Sequence, residues 1–511
     1  MAKRLWIAVV IAAAMMSACK SSSSKKSDPA SNIGNGDATR TASLATDPVE
    51  RALLNLGIDG GVSTLDLNQA DYREGRIVAA HLHLLRETLL VEGSKPQPRV
   101  LGIDRGALSP AWVSSLPEPS LYPVGANADA AVFVSKHYVT PVRLRDGLRT
   151  LRFGADGAQR PPIELPFTPT AGAAVQHDSA YVPSLGSSVN NKKLESFSRL
   201  TGQRGWGWRA QGDILTSPLV GGSSGDPKLY FVTNRGIATC LDARNYGFGP
   251  DTPRWEQRLA AGVGSRHHPF LTRDTADMVG GMFIVDRKGT IYCIDRITGR
   301  RRWANSTGRT PAAGPQVFGN LCIVKMSSGF VAYDRDNVLY RATVVAGASN
   351  GASIDLRNGG PMTVGSASDA DLTINDAKTQ KIHLTFRVEG EILTVVATDD
   401  GEMRVDGADV GKRTTVENGS DIRIGTSTIQ IEDRGALALW SDLKADRIVC
   451  RVGNKLVVAK GNALRAIDAY TGEPTSDWVA IPGMRLCPSN THDANLAVLV
   501  GDARLYTLFP R

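Results

Sequence analysis

An all-β chain built from one recurring unit, with a separate block of strands set into it, is predicted by three observations. Short runs of β-branched and aromatic residues recur between Gly, Asp and Asn turns, and glycine reaches 52 of 511 residues, as many short strands require. The unit Gly289-Thr-Ile-Tyr-Cys-Ile-Asp295 to Trp303 returns along most of the chain. From 337 to 434 that rhythm stops, and strands of a different spacing take over.

Composition is that of a globular protein, 42% apolar and 22% charged. The net charge is +8, two of it from Lys3 and Arg4, and the remaining excess is scattered along the sequence without a dense basic block. This argues against nucleic-acid binding.

Residues 1–18 read as an export signal, with Lys3 and Arg4 as its charged start, Leu5 to Met16 as its apolar core and Ser17-Ala18 before Cys19. The apolar run is too short for a stable membrane span. Cys19 after Ser-Ala resembles the bacterial lipobox, in which the cysteine is cleaved in front and acylated. Lys20 then favours the outer membrane, and several acyl chains give durable anchoring. Residues 19–47 hold hardly any apolar side chain and are expected to be a flexible tether. Val49 to Leu56 suits a short helix, and Val62 to Leu67 suits a strand.

In the recurring unit Thr290 to Ile294 is a β run. Asp295 ends it and caps its own turn, Thr298-Gly299 reverse the chain, and Trp303 supplies an apolar plate. The same order appears at Asp104 with Trp112, at Ser198 with Gly202 and Trp206, at Asp242 with Trp255 after a longer turn, and at Asp468 with Gly472 and Trp478. Two copies are weaker: Gly147 to Arg152 lacks the Trp, and Arg504 to Phe509 closes the sequence. One copy is split, its strand ending at Asp334 and its Trp440 arriving about a hundred residues later, so that a domain sits in its turn. With the insert removed, the anchors recur about every 40–45 residues, the length of a four-stranded propeller blade. A blade cannot bury both faces alone and must stack on neighbours around an axis. Eight anchors predict an eight-bladed β-propeller, with seven as the alternative because the Arg152 copy is weak. The last blade lacks its outermost strand, and Val62 to Leu67 is expected to fill that place and close the ring.

The units resemble the PQQ-like (quinoprotein-type) propeller repeat, Gly-x-Leu-Tyr-Ala-Leu-Asp-x-x-Thr-Gly-x-x-x-Trp, over about residues 62–335 and 435–511. Together with Cys19 and the tether, the chain resembles BamB-like lipoproteins. There the propeller is a scaffold of the outer-membrane β-barrel assembly machinery and binds no quinone. The resemblance implies a propeller at 48–336 and 435–511, no cofactor, protein partners, and the periplasmic face of an outer membrane, with contact to the membrane through the lipid anchor only.

The block 337–434 reads as a compact β-sandwich with turns at Asn358-Gly, Asp400-Gly401, Asp406-Gly407 and Asn418-Gly419. Its order resembles the forkhead-associated (FHA) domain: Val364-Gly365-Ser366, Gln380-Lys-Ile-His383, Asp400-Gly401, and Asn418-Gly-Ser-Asp-Ile-Arg-Ile-Gly425. That family holds phosphothreonine with an Arg and a Ser, which are Ser366 and Gln380 here, and its loop Asn is Asp400. A doubly charged anion needs a cation and donors, so the resemblance implies a retained fold with phosphate recognition lost and protein contact through the loops. His383 matches a position that is structural in that family. Phosphopeptide sensing stands as one alternative function.

The chemistry-bearing residues give little else. Besides Cys19 the cysteines are Cys240, Cys293, Cys322, Cys450 and Cys487, mostly inside strands, an odd number with no Cys-x-x-Cys that cannot all pair internally; Cys240 and Cys293, at equivalent places in neighbouring units, are expected to be buried thiols. His267-His268 with Asp274 and Asp277 are expected in a surface loop, since adjacent strand residues face opposite sides and cannot share a metal. Phosphate loops, Gly-x-Ser-x-Gly and His-Glu-x-x-His are absent from the sequence. A quinone-dependent dehydrogenase is the other alternative, but the vicinal cysteines of that family are missing. The expectation is therefore a protein-binding scaffold, not an enzyme, with no metal.

Overall fold

The computed structural model describes residues 47–58, 60–66, 78–84, 88–95, 97–104, 109–149, 161–186, 191–223, 226–243, 252–272, 280–389, 392–398, 402–486, 496–500 and 504–510. Cys19, Asp274, Asp277, Asp400, Cys487 and the segment 150–160 with Arg152 lie outside them, as do the proposed signal and nearly all of the tether.

Four-stranded antiparallel units follow one another along the chain, as the repeat predicts. The first contains Val78–Leu84, Thr88–Lys95, Arg99–Asp104 and Ser109–Ser115, and the fifth runs from Phe270–Leu271 through Gly281–Val285 and Thr290–Asp295 to Arg301–Ser306. Among the described residues seven sheets have this form, and the first four strands of an eight-stranded sheet make another such unit. The anchor residue ends the third strand in six of these units, at Asp104, Arg143, Ser198, Asp242, Asp295 and Asp468. First strands of the second to sixth units lie side by side, which places them nearest the axis of a propeller. Crowding there demands small residues: a Cβ on Gly125 would fall 2.0 Å from Ala173 O.

Strand direction gives every unit two distinct ends. The first-to-second and third-to-fourth turns share one, the turn end. The second-to-third turn and the link to the next unit share the other, the link end.

The ring closes by joining the two ends of the described chain. Gly60–Asp66 pairs antiparallel with Arg504–Pro510, from Gly60 against Pro510 to Asp66 against Arg504, in the sheet completed by Leu496–Val500 and Met484–Leu486. A clasp reinforces it. Asp47 caps the helix α1 (Pro48–Leu54) by accepting from Val49 N (2.7 Å) and Glu50 N (3.1 Å). Its other oxygen accepts from Tyr506 Oη at 3.0 Å and faces Arg504 at 3.3 Å. Leu53, Leu56 and Ile58 then pack against Val457, Leu464, Ile481 and Tyr506.

Two features depart from the sequence reading. In the second unit the third strand is Tyr138–Arg143, so the anchor is Arg143 and not Arg152. Gly147 is the turn glycine, at φ +70°, and does not open a strand. The pattern was missed because Arg143 replaces the usual Asp, and Asp146 does its work: it binds Arg143 Nε at 2.8 Å and accepts from Leu148 N at 3.1 Å.

The second departure is at the insert. Asp334 does not end its strand. Gly329–Ala346 is one strand of 18 residues and Ser427–Leu443 one of 17, paired along their length with register shifts. They begin as the third and fourth strands of the sixth unit and continue into the block 337–434. There they join Ser353–Leu356, Asp421–Ile424, Arg404–Val405 and Ala408–Asp409, opposite a second sheet of five strands that includes Met362–Gly365, Leu384–Glu389 and Ile392–Ala397. One apolar cluster runs from Phe283 and Trp303 through Tyr333 and Val338 to Phe386 and Ile429. The block is an extension of a blade packed on a shared core.

Candidate functional site

Most of the repeat residues that sequence offers as a site serve one local device. In the anchor turn Asp295 Oδ1 accepts from Ile297 N (2.9 Å) and Thr298 N (2.8 Å), and Gly299 N donates to Asp295 O at 2.9 Å. Arg302 binds the other oxygen at 2.6 Å. Burial pushes the Asp295 carboxyl up, but these hydrogen bonds and the Arg302 charge prevail and hold it below its usual value. Asp468 repeats the geometry with Tyr470 N and Thr471 N, both at 2.9 Å. Ser198 does so with Thr201 N at 3.2 Å. Asp104 ends its strand exposed, and Asp242 pairs with Arg254 at 3.2 Å.

The Trp of one unit docks on the anchor turn of the next. Trp112 Nε1 donates to Leu144 O (2.5 Å), Trp255 Nε1 to Arg296 O (3.0 Å) and Trp440 Nε1 to Ala469 O (3.0 Å). Each acceptor directly follows an anchor residue. The indole lies on the turn glycine: a Cβ on Gly147, Gly299 or Gly472 would fall 2.5, 2.5 or 2.9 Å from the facing ring. Each glycine also has φ near +70°, which a side chain disfavours. The spacing thus encodes a contact between units that reading a single unit cannot show.

Where the next turn departs from the pattern, the docking fails. Trp206 Nε1 has no hydrogen-bond partner; after Asp242 comes the longer turn, and Ala243 O is taken by Tyr181 Oη at 2.6 Å instead. Trp303 is fully buried with Nε1 likewise unpaired, because Asp334 leads into the insert. Trp478 is 38% exposed with Arg465 over its ring, short of the packing role expected for it.

The junction with the insert uses residues the repeat did not mark. The Asp433 side chain, 2% exposed, meets Arg301 at 3.1 Å. Burial pushes its carboxyl up despite that charge. Asn305 brackets Ala436 with two bonds, Nδ2 to O at 3.0 Å and Oδ1 from N at 2.8 Å. Arg300 holds Glu417 at 2.9 Å. The only sequence signal was Asp433-Arg-Gly435 at the block boundary, which has no characteristic spacing.

Within the block, Ser366 is exposed, and its N–H donates to Gln380 O at 2.8 Å. Gln380 accepts from Thr398 Oγ1 at 2.8 Å. His383, 3% exposed, is bonded through Nε2 to Glu402 O (2.8 Å), and its Nδ1 faces Gln380 N at 3.3 Å. It therefore fixes a corner of the fold. Asp376, unmarked in the sequence reading, accepts from Thr426 N (2.7 Å), Thr426 Oγ1 (2.6 Å), Ser427 Oγ (3.2 Å) and Lys378 N (2.9 Å). The Thr426 hydroxyl and these further donors hold its carboxyl far below its usual range.

Near the axis a cavity of about 940 Å³ is lined by first strands, including Gly125, Ala174 and Gly221, with Asn127, Asp129, Gln176, His177, Ser217 and Arg296 among its polar groups. Gln176 Oε1 and Ser217 Oγ lack hydrogen-bond partners, so the cavity can accept donors from a small polar solute. Among the described residues no three His, Cys, Asp or Glu side chains gather as a metal would require. Cys240, Cys293, Cys322 and Cys450 are buried and outside any disulfide, and burial pushes Cys240 up to about 11 and Cys322 and Cys450 up to about 12. His267 is buried at 8% exposure, contrary to the expected surface loop. It sits in the link that passes beneath Pro311–Phe318, where Gly314 N bonds Arg266 O at 3.0 Å. Desolvation holds both His267 and His268 below the usual value.

Residues 190–358 match the family model of the outer membrane protein assembly factor BamB. The BamB match takes in the docking glycine Gly299, the repeat positions Trp206, Trp255 and Trp303, and the first strands of the insert. Among solved structures the chain is similar to BamB from Moraxella catarrhalis, at 14% identity and a TM-score of 0.48, over 88% of this chain and 96% of that one. It is also similar to quinohemoprotein alcohol dehydrogenase from Comamonas testosteroni, at 12% identity and a TM-score of 0.43, over 89% of this chain and 77% of that one. The FHA domain of CT664 from Chlamydia trachomatis aligns at 20% identity and a TM-score of 0.18, over 19% of this chain and 99% of that domain. No curated protein sequence matches the chain.

Proposed function

We propose that this protein is a lipid-anchored, extracytoplasmic scaffold that binds other proteins, working in outer-membrane β-barrel assembly as its BamB resemblance suggests. The observation that carries the reading is the BamB family match over residues 190–358. The packing agrees with it, since the repeated Asp, Gly and Trp spacing serves to join units, as at Gly299 and Trp255. We read the ring as eight blades at 48–336 and 435–511, with 337–434 as an FHA-like sandwich that enlarges the platform, and Cys19 as the acylated residue. On this reading the chain is a binding protein and not an enzyme. Gln380 and Ser366 replace the phosphate-holding pair, so the insert contacts proteins without a phosphate requirement.

Affinity purification of the full chain from detergent-solubilised envelopes tests the partner class. Recovery of a β-barrel assembly subunit supports it, and repeated recovery of none sinks it. Phosphothreonine peptides titrated into the full chain should show no saturable binding.

A further inference from the structure

The charge excess that looks scattered in the sequence gathers at one end of the ring. Lys136, Arg209, Arg235, Arg266, Arg287 and Lys288 all lie in second-to-third turns or in links between units, and therefore all at the link end. Each is exposed, and none has an acidic partner among the described residues. Most acidic side chains at this end are already committed. Glu118 meets His137 at 2.7 Å, Asp213 meets Lys193 at 2.7 Å and Asp442 meets Arg309 at 2.7 Å. Asp286 is fully buried, and Asp446 accepts from Gly461 N at 2.7 Å. Among the described residues at this end, Glu164 and Asp446 stay exposed with no cation paired to them.

The turn end is organised the other way. Most of its arginines are matched to carboxylates: Arg199 to Asp129 and Asp178, Arg254 to Asp242 and Asp226, Arg302 to Asp295, and Arg143 to Asp146, while Arg451 bonds Phe318 O and Tyr470 Oη. The insert also projects from this end, because it extends the third and fourth strands of the sixth unit.

A second observation gives the basic end its occupant. The described chain begins at Asp47, which is held by Arg504 and Tyr506. Arg504 is the first residue of a third strand, and a third strand starts at the link end. Asp47, the first described residue, therefore sits at the same end as the unpaired cations, and the proposed acyl site precedes it in the sequence. We propose that the link end is a membrane-facing surface that rests on anionic phospholipid headgroups, with the insert directed away from the bilayer. Exposed cations gain from a negative surface within about a Debye length of ~10 Å at 0.1 M salt. An acyl anchor with a basic patch is a two-part attachment in which the patch sets orientation. The choice of occupant rests on the lipid-anchored reading; the surface itself does not.

The test uses the full chain with Cys19→Ser, so that no acyl group contributes. It should co-sediment with vesicles of phosphatidylethanolamine and phosphatidylglycerol, and release as salt rises. Vesicles of phosphatidylcholine alone should not retain it. At about fivefold per surface cation, the variant Arg235→Gln, Arg266→Gln, Arg287→Gln, Lys288→Gln should bind at least about tenfold more weakly. The variant Arg145→Gln, Arg254→Gln at the turn end should bind as the parent does. Equal binding to both vesicle types, a basic-end variant that binds normally, or retention on a soluble polyanion without vesicle binding each overturns the proposal. The mass of the N-terminal residue in protein extracted from membranes tests the acyl anchor separately, so either reading can fail without the other.

Discussion

Replacing Gly299 with alanine probes the contact that joins the fourth unit to the fifth. The new Cβ would sit 2.5 Å from Trp255 Cδ2 and 2.6 Å from Cγ, at φ +74°. Ordinary contact begins near 3.4 Å, so the indole must retreat by about 1 Å, as overpacked cores do. Trp255 has little freedom to do so, being 8% exposed, 6.0 Å from the Tyr230 ring and bonded to Arg296 O. Left-handed strain costs about 1–2 kcal/mol and overpacking about 1–3 kcal/mol, while the stiffer unfolded chain returns about 0.4–1 kcal/mol. The net loss is about 2–4 kcal/mol. Gly308 is the internal control, with φ +64° and nothing within 4 Å of its Cβ. Gly308→Ala should cost only the strain less the entropy, about 1 kcal/mol. The assay is urea unfolding of both variants followed by far-UV CD and Trp fluorescence, with the midpoint shift at constant slope as the readout. In a Trp255→Leu background, Gly299→Ala should fall to the cost of the control. If Gly299→Ala costs no more than Gly308→Ala in the parent protein, the docking argument is wrong.

Three further outcomes follow from the same contacts. Asp376→Asn should lower the melting temperature at neutral pH. The folded-state pKa of Asp376 is depressed, so its contribution is complete above the unfolded value of about 3.9 and lost as pH falls below it; the gap between variant and parent should close in acid. Asp47→Ala removes both the helix cap and the acceptor for Tyr506, at a cost of about 1–3 kcal/mol, and proteolysis should cut first near the joined ends. Cys240, Cys322 and Cys450, with pKa values pushed up to about 11, 12 and 12, should resist maleimide at pH 8 in the folded protein and react once it is unfolded.

The all-β class, the unit length, the closing strand and the presence of a foreign block were legible in the sequence, because each rests on local signals. An Asp that caps its turn, a glycine at positive φ and a Trp at fixed spacing are short-range demands, and strand alternation is periodic. The Arg143 turn was misread for the same reason: the anchor signal was a single residue type, and Arg143 with Asp146 meets the demand by other means. The strand that passes through Asp334 was not legible either. Whether a strand ends at an Asp depends on what pairs beside it, and Ser427–Leu443 lies about a hundred residues away. The junction pair Arg301 and Asp433 has no sequence spacing, since it joins strands about 130 residues apart that only tertiary pairing brings together.

In the insert, the expectations for Ser366 and His383 come from a family resemblance, whereas the Asp376 hub required knowing which turn lies beside it. The charge distribution depended most on the fold. Sequence alone fixes the net charge of +8 and shows no basic run. Only antiparallel stacking sends alternate turns of every unit to opposite ends, so that cations far apart in the chain share one surface. Only the neighbours across units determine which of them are neutralised, as Arg199 is by Asp129 and Asp178, and which, such as Arg235 and Arg287, are left facing solvent.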